Sequence, residues 1–216
     1  MKRNKIFLIE IYVTSKAYKV KRDIEEKRGN IMKKLIILLL IIILGVSLFK
    51  LGFIINKKVE LNRYPYKYSE EVNHYSREYD LDPLFVLSVI KVESNFNPDA
   101  ISNSGAIGLM QITEETGRDI AKHLGNENFS PKDLYDPKLN IEMGCWYLND
   151  LFKEFKNRDL VLAAYNGGRG NVQKWLYDFR YSSNGELINI PFKETQDYVK
   201  KVNSDLEVYS RIYSNK

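Results

Sequence analysis

Glu93 is the residue in this chain best placed for acid chemistry. It ends the run Pro83-Leu84-Phe85-Val86-Leu87-Ser88-Val89-Ile90-Lys91-Val92-Glu93, which is apolar around most of its circumference and reads as a buried central helix. A carboxylate at that end loses hydration and meets the negative pole of the helix dipole. Both effects disfavour the charged form and raise its pKa. A carboxyl tuned in this way can give a proton to a leaving oxygen near neutral pH. Periodicity alone leaves a second reading open, in which Glu93 emerges into solvent at a helix end.

Other chemistries lack parts. His74 and His123 are the only histidines and Cys145 the only cysteine, too few for a metal cluster or a Ser/His/Asp or Cys/His nucleophile. Cys145 lies in Met143-Gly144-Cys145-Trp146, where a cysteine acts as a small core residue. Asp99 is the nearest second carboxylate, but beside Pro98 it reads as a turn residue. No metal or organic cofactor is implied.

The segment that follows Glu93 changes the weight of the two readings. Glu93-Ser94-Asn95-Phe96-Asn97-Pro98-Asp99-Ala100-Ile101-Ser102-Asn103-Ser104-Gly105-Ala106-Ile107-Gly108-Leu109-Met110-Gln111-Ile112 resembles the first two motifs of the lytic transglycosylases of the soluble-lytic-transglycosylase family, which share the goose-type lysozyme fold. Ala164-Tyr165-Asn166-Gly167-Gly168 resembles that family's third motif, and Glu194-Thr195-Gln196-Asp197-Tyr198-Val199 its fourth. The four follow the family's order across about residues 82–202.

The resemblance implies that Glu93 is the single catalytic acid and base, held by Ser94 and Tyr165. It implies that Ser102 and Ser104 hydrogen-bond a bound sugar, and that Met110 and Gln111 give the cleft an apolar and a polar contact. Asn166 and Tyr198 fall at two further cleft positions, while Glu194 supports local structure. The implied substrate is the glycan strand of peptidoglycan, cleaved without water to leave a 1,6-anhydro-muramoyl end. A hydrolytic goose-type lysozyme and an inactive wall-binding module are the alternatives. Gly105 and Gly108 have a reason of their own, since a loop lying against a ligand needs close backbone approach.

These residues must be positioned by helices. Asp82-Pro83 supplies an N-cap and a first-turn proline for the helix that ends at Glu93. Further helices are expected at about 69–79, 114–124, 137–156, 159–166, 169–178 and 194–213, with no strand-rich segment. Trp146 and Trp175 fall at helical packing positions. The fold class expected is therefore mainly α: a lysozyme-like domain at 68–216, preceded by a single membrane-spanning helix.

That span is Leu35 to Ile55, apolar except for Lys50, and long enough for a bilayer core of about 20 residues. Eleven basic side chains against four acidic ones give residues 1–34 a net +7, and the whole chain carries +5, which leaves −2 for the rest. The basic excess before the span places residues 1–34 in the cytoplasm and everything after Ile55 outside. A near-neutral domain without a basic stripe excludes nucleic acid as a partner. Residues 56–67 read as a polar linker. Cleavage after Gly45-Val46-Ser47, giving a secreted protein, competes with retention as an anchor, which the apolar residues past Ser47 favour. Protein partners are left open.

Met32-Lys33-Lys34 followed by the apolar run is itself a complete start for an export signal, and Glu26–Asn30 is codable by a ribosome-binding-like stretch. Translation is therefore expected to begin at Met32. Mass spectrometry of the N-terminal peptide checks this, and peptides from residues 5–20 would contradict it.

Overall fold

The computed structural model describes the backbone of residues 2–214 and the side chains of residues 12–214. The chain divides into two compact units, residues 1–60 and 61–216.

The first unit is helix α1, Lys2–Arg63, which runs on into the second. Among the described residues it is the one helix long and apolar enough to cross a membrane, with a mean hydropathy of 2.8 over its most apolar 18 residues. Residues 56–63, expected to be part of a linker, continue the helix, because Lys57-Lys58-Val59-Glu60-Leu61-Asn62-Arg63 contains neither Gly nor Pro. The helix stops where Pro65 biases Tyr64 away from the α region. Only five residues, 64–68, separate it from the next helix.

The second unit holds α2 (Ser69–Glu78), α3 (Pro83–Ser94), α4 (Glu114–His123), α5 (Pro137–Phe155), α6 (Arg158–Gly167), α7 (Arg169–Tyr177) and α8 (Lys193–Tyr213). Every helix boundary expected in this unit falls within one residue of the observed one. The starts of α3, α5 and α6 are fixed by side-chain caps: Asp82 accepts from the Leu84 amide at 2.9 Å, Asp136 from Leu139 at 2.9 Å and Asn157 from Asp159 at 2.9 Å. Two short elements were not anticipated. One is a 3₁₀ turn, Pro131–Tyr135. The other is a hairpin of β1 (Ser182–Ser183) and β2 (Glu186–Leu187), paired antiparallel across Asn184-Gly185, both with positive φ. Asn-Gly between two short runs is the signal that marks it.

Helix α3 is the centre of the core. Six consecutive residues, Phe85 to Ile90, are buried, so no face of that stretch is left to water. Each large apolar side chain buried in this way stabilises the fold by about 1.5–3 kcal/mol. Helix α8 packs along α3 through the stripe Thr195, Tyr198, Val202, Asp205, Leu206 and Tyr209, spaced at three and four residues. The buried residues run from Val72 to Tyr213, so this unit has a core of its own.

Between α3 and α4 the chain makes a loop, residues 95–113, that is folded without regular structure yet tightly held. Asn95 and Phe96 both take left-handed backbone, which turns Phe96 inward at 4% exposure. Ile107 bridges Ile101 on one side and Ile112 on the other. Beneath the loop lies Asn140 of α5, fully buried. Its amide nitrogen donates to Leu134 O (2.8 Å) and Ile107 O (3.0 Å), and its oxygen accepts from Met110 N (2.8 Å). Gly108 meets that amide so closely that a β-carbon would fall 2.3 Å from Asn140 Nδ2, and its φ of +82° disfavours any other residue.

Asn140→Ala would take the side-chain partner from Met110 N and Leu134 O, while Ile107 O would still accept from Ile112 N at 3.0 Å. In a fragment of residues 57–216, which contains the whole second unit, it is expected to lower unfolding stability by about 2–4 kcal/mol, read by urea denaturation.

Candidate active site

Three helices and the loop converge on Glu93. It is the penultimate residue of α3, and its side chain keeps partial contact with solvent while protein crowds the remaining sides. That loss of hydration is the largest influence on it and lifts its pKa from 4.5 to about 7; the Tyr198 hydroxyl and, secondarily, the Lys201 ammonium pull it down. Among the described residues no second carboxylate is counted among the groups that act on it.

Tyr198 of α8 and Tyr165 of α6 flank the carboxyl. Both phenols have pKa values well above the ordinary range, first from burial and then from the Glu93 charge. Their hydrogen bonds differ. The Tyr165 hydroxyl donates to Met110 O at 2.7 Å. The Tyr198 hydroxyl is buried beside the Glu93 carboxyl, near enough for hydrogen bonding between them to lower the Glu93 pKa, yet outside strict hydrogen-bond geometry. A buried donor left in that state is an aimed one, because orphaned hydroxyls are costly unless a ligand or a change of charge satisfies them.

The structure changes the roles expected for Ser94 and Met110 and narrows that of Tyr165. The Ser94 hydroxyl does not reach the Glu93 carboxyl; it donates to Leu109 O (2.8 Å) and Ile90 O (3.2 Å). Ser94 and Tyr165 therefore clamp the backbone of residues 109–110 over the end of α3. Met110 has 0% exposure, and a β-carbon on Gly144 of α5 would fall 2.2 Å from its sulfur. It is core beneath the cleft, and its carbonyl rather than its side chain serves the site.

Ser102 and Ser104 sit at the loop's outer edge, their hydroxyls paired at 2.8 Å, with Ser102 Oγ also accepting from Ala106 N at 3.0 Å. Gln111, in left-handed backbone, donates its amide to Gly108 O (2.9 Å) and Ala100 O (3.1 Å), so that nitrogen is committed to loop carbonyls. Asn166 is partly exposed next to Tyr165. Gly167 has a packing reason beyond ending α6: a β-carbon there would fall 2.9 Å from Thr195 Oγ1 of α8.

Asp99 is an exposed turn residue whose amide donates to Asn97 Oδ1 at 3.1 Å. Cys145 is buried, and burial pushes its thiol pKa up, away from reactivity. Three residues escaped sequence reasoning. Lys201 follows Tyr198 by three positions, one face of one helix, which is a legible signal. Asn140 is a polar residue in line with Gly144 and Leu148 on the buried side of α5. Tyr147, whose ring lies 5.5 Å from that of Tyr165, carries no separate signal; it borders a cavity of about 450 Å³ with Thr116, Asp119 and Arg169.

The transglycosylase SLT domain model matches residues 70–187, a stretch that includes Glu93 and Tyr165 and ends before α8. The soluble lytic murein transglycosylase of Escherichia coli (strain K12) is 35% identical over 144 residues, 65% of this chain and 22% of that protein. Membrane-bound lytic murein transglycosylase C of Salmonella arizonae is 31% identical over 174 residues, 70% of this chain and 48% of that one. The solved 70 kDa soluble lytic transglycosylase of Escherichia coli superposes with a TM-score of 0.64 at 31% identity, covering 70% of this chain and 25% of that one. Its complex with bulgecin A gives a TM-score of 0.65 at 31% identity, covering 73% and 26%. The chain thus spans about a fifth of the soluble relative and about half of the membrane-bound one.

A carboxyl with its folded pKa raised above the unfolded value favours folding while protonated, and that contribution is lost as pH rises from 4.5 through about 7. Glu93→Gln, a neutral mimic of the acid, is therefore expected to raise the melting temperature at pH 8 and leave it nearly unchanged at pH 4. The gain corresponds to on the order of 2–3 kcal/mol. Equal effects at both pH values would mean that Glu93 is solvated.

Proposed function

The chain belongs to the transglycosylase SLT domain family, which its motifs, its helical lysozyme-like fold and the match over residues 70–187 establish, and from that premise we propose that it is a membrane-anchored peptidoglycan lytic transglycosylase working outside the cell membrane. The observation that carries the reading is Glu93: a largely desolvated carboxyl at the end of α3, its pKa lifted to about 7, with the Tyr198 hydroxyl and the Lys201 ammonium acting on it.

Ordinary glycosidases divide the work between two carboxylates. With one, the substrate must supply the missing nucleophile. The 2-acetamido group of the muramic acid ring stabilises the positive charge developing at C1 as Glu93 protonates the departing glycosidic oxygen. Glu93, now a carboxylate, takes the proton from the C6 hydroxyl of the same ring as that oxygen attacks C1. The sugar leaves as a 1,6-anhydro product and Glu93 is protonated again. Tyr198 suits the intermediate stage, since its buried hydroxyl lies beside the carboxyl and favours the charged form by donating to it. Ser102 and Ser104 offer hydroxyls to the glycan at the loop edge, with Gln111 and Asn166 deeper in.

The span at 35–55 keeps the enzyme at the membrane, and the basic residues before it keep the N-terminal segment inside. The membrane-bound relatives are consistent with this arrangement.

Mass spectrometry of the fragments that residues 57–216 release from purified peptidoglycan tests the proposal. Products one water lighter than hydrolysed muropeptides are expected, and Glu93→Gln should reduce their release by about 10²–10⁴-fold. Activity should decline as pH rises through about 7, because the working form is protonated. Hydrolysed ends would instead make the protein a lysozyme, and binding without release a wall-binding module.

A further inference from the structure

The segment 64–68, which joins α1 to α2, is bound into the second unit by tyrosines from both directions. The Tyr64 hydroxyl donates to Asp205 Oδ1 of α8 at 3.1 Å, and Asp205 is 8% exposed. Lys91 Nζ of α3 lies 4.8 Å from the centroid of the same ring. Tyr209 of α8 meets that ring edge-on at 5.4 Å. The backbone of the segment is held as well: the Tyr209 hydroxyl donates to Pro65 O at 3.1 Å, and the Tyr213 hydroxyl to Tyr64 O at 2.7 Å. One side chain, Tyr64, therefore touches both α3 and α8.

Those are the helices that carry Glu93 and Tyr198. Lys91 precedes Glu93 by two residues, and Asp205 follows Tyr198 by seven, two turns or about 10 Å along the same buried stripe. The Tyr198 hydroxyl lies beside the Glu93 carboxyl and lowers its pKa, but no hydrogen bond of strict geometry holds the two together. Their separation is therefore set by how α8 lies on α3, and whatever fixes that packing fixes the pair. The apolar stripe holds the helices together, but apolar packing is non-directional. Tyr64 adds the directional contacts, a charge-assisted hydrogen bond to one helix and a cation over the ring from the other.

We propose that Tyr64 is a positioning residue of the active site: by gripping Lys91 and Asp205 it sets the gap between the Glu93 carboxyl and the Tyr198 hydroxyl. The proposal rests on the reading of Glu93 as the working acid. Tyr66 provides an internal comparison. Its ring meets Tyr213 of α8 edge-on at 5.2 Å, but its hydroxyl donates to Asn73 Oδ1 of α2 at 2.7 Å, so Tyr66→Phe removes a contact to α2 and keeps the one to α8.

The test uses the full-length chain in detergent micelles, with Tyr64→Ala, Tyr64→Phe and Tyr66→Phe. Three quantities are read: the helical circular dichroism, the alkaline limb of the pH profile for peptidoglycan cleavage, and the titration of the ¹³C-labelled Glu93 carboxyl by NMR, assigned with Glu93→Gln. Tyr64→Ala is expected to keep its helix content and to cleave on the order of tenfold more slowly. Its alkaline limb and carboxyl titration should move down by about half a pH unit or more, as looser packing lets water reach Glu93. Tyr66→Phe should move neither. A Tyr64→Ala chain that melts earlier but titrates like the wild type would reduce Tyr64 to a structural role and overturn the proposal. If Tyr64→Ala does not fold, Tyr64→Phe, which loses only the bond to Asp205, decides by a smaller shift in the same direction or by none. A wild-type chain that cleaves nothing would sink the functional reading, while the carboxyl titration would still decide for or against Tyr64.

Discussion

A carboxyl that must carry a proton near neutral pH has to be kept from water and yet remain open to a substrate. Most of what this domain does structurally follows from meeting both demands at Glu93. Desolvation needs a helix buried on all sides, and Phe85 to Ile90 give α3 that character. Access needs the helix to end at the surface of the core, which the left-handed backbone of Asn95 and Phe96 enforces. The fold resolves the conflict with a wall that is thin but fixed, the loop of residues 95–113.

That wall is fixed from beneath. Asn140 satisfies three loop and turn backbone groups, Ser94 and Tyr165 hold the Leu109 and Met110 carbonyls, and Met110 itself is packed against Gly144. Glycines at 108 and 144 exist because the layers they separate touch. A loop tied down in this manner holds Ser102, Ser104 and Gln111 in fixed places, the preorganisation that their proposed roles require.

The helices were legible because their caps and periods were local: Asp82-Pro83, Asp136-Pro137 and the three-and-four spacing of α8 need no tertiary information. The motifs located the site for a different reason, as they mark positions in a shared fold. They did not say what each side chain touches. Ser94 was expected on the carboxyl and binds the loop backbone, Tyr165 flanks the carboxyl but gives its hydroxyl to that backbone, and Met110, expected in the cleft, is fully buried. Such assignments depend on distances between segments 15 to 55 residues apart, which spacing along the chain cannot supply. The reading of 56–67 as a linker failed from overweighting polarity. Polar residues without Gly or Pro remain good helix formers, and Pro65 was the true boundary signal.

The opposing influences on Glu93 bear on the proposal that one carboxyl serves as both acid and base. Burial alone would drive its pKa far upward and leave an acid unable to act as a base; the Tyr198 hydroxyl and the Lys201 ammonium alone would hold it down as a permanent carboxylate. Two-carboxylate enzymes escape the conflict by giving each role to a separate residue with its own environment. Here the environments are superposed on one residue, and their near cancellation leaves both protonation states within reach near pH 7. The cancellation depends on geometry, because the hydroxyl and the ammonium arrive on α8 while Glu93 itself stands on α3. The relative placement of α3 and α8 is thus part of the chemistry, and it explains why a domain of this kind spends its longest helix on carrying one tyrosine and one lysine to the end of another.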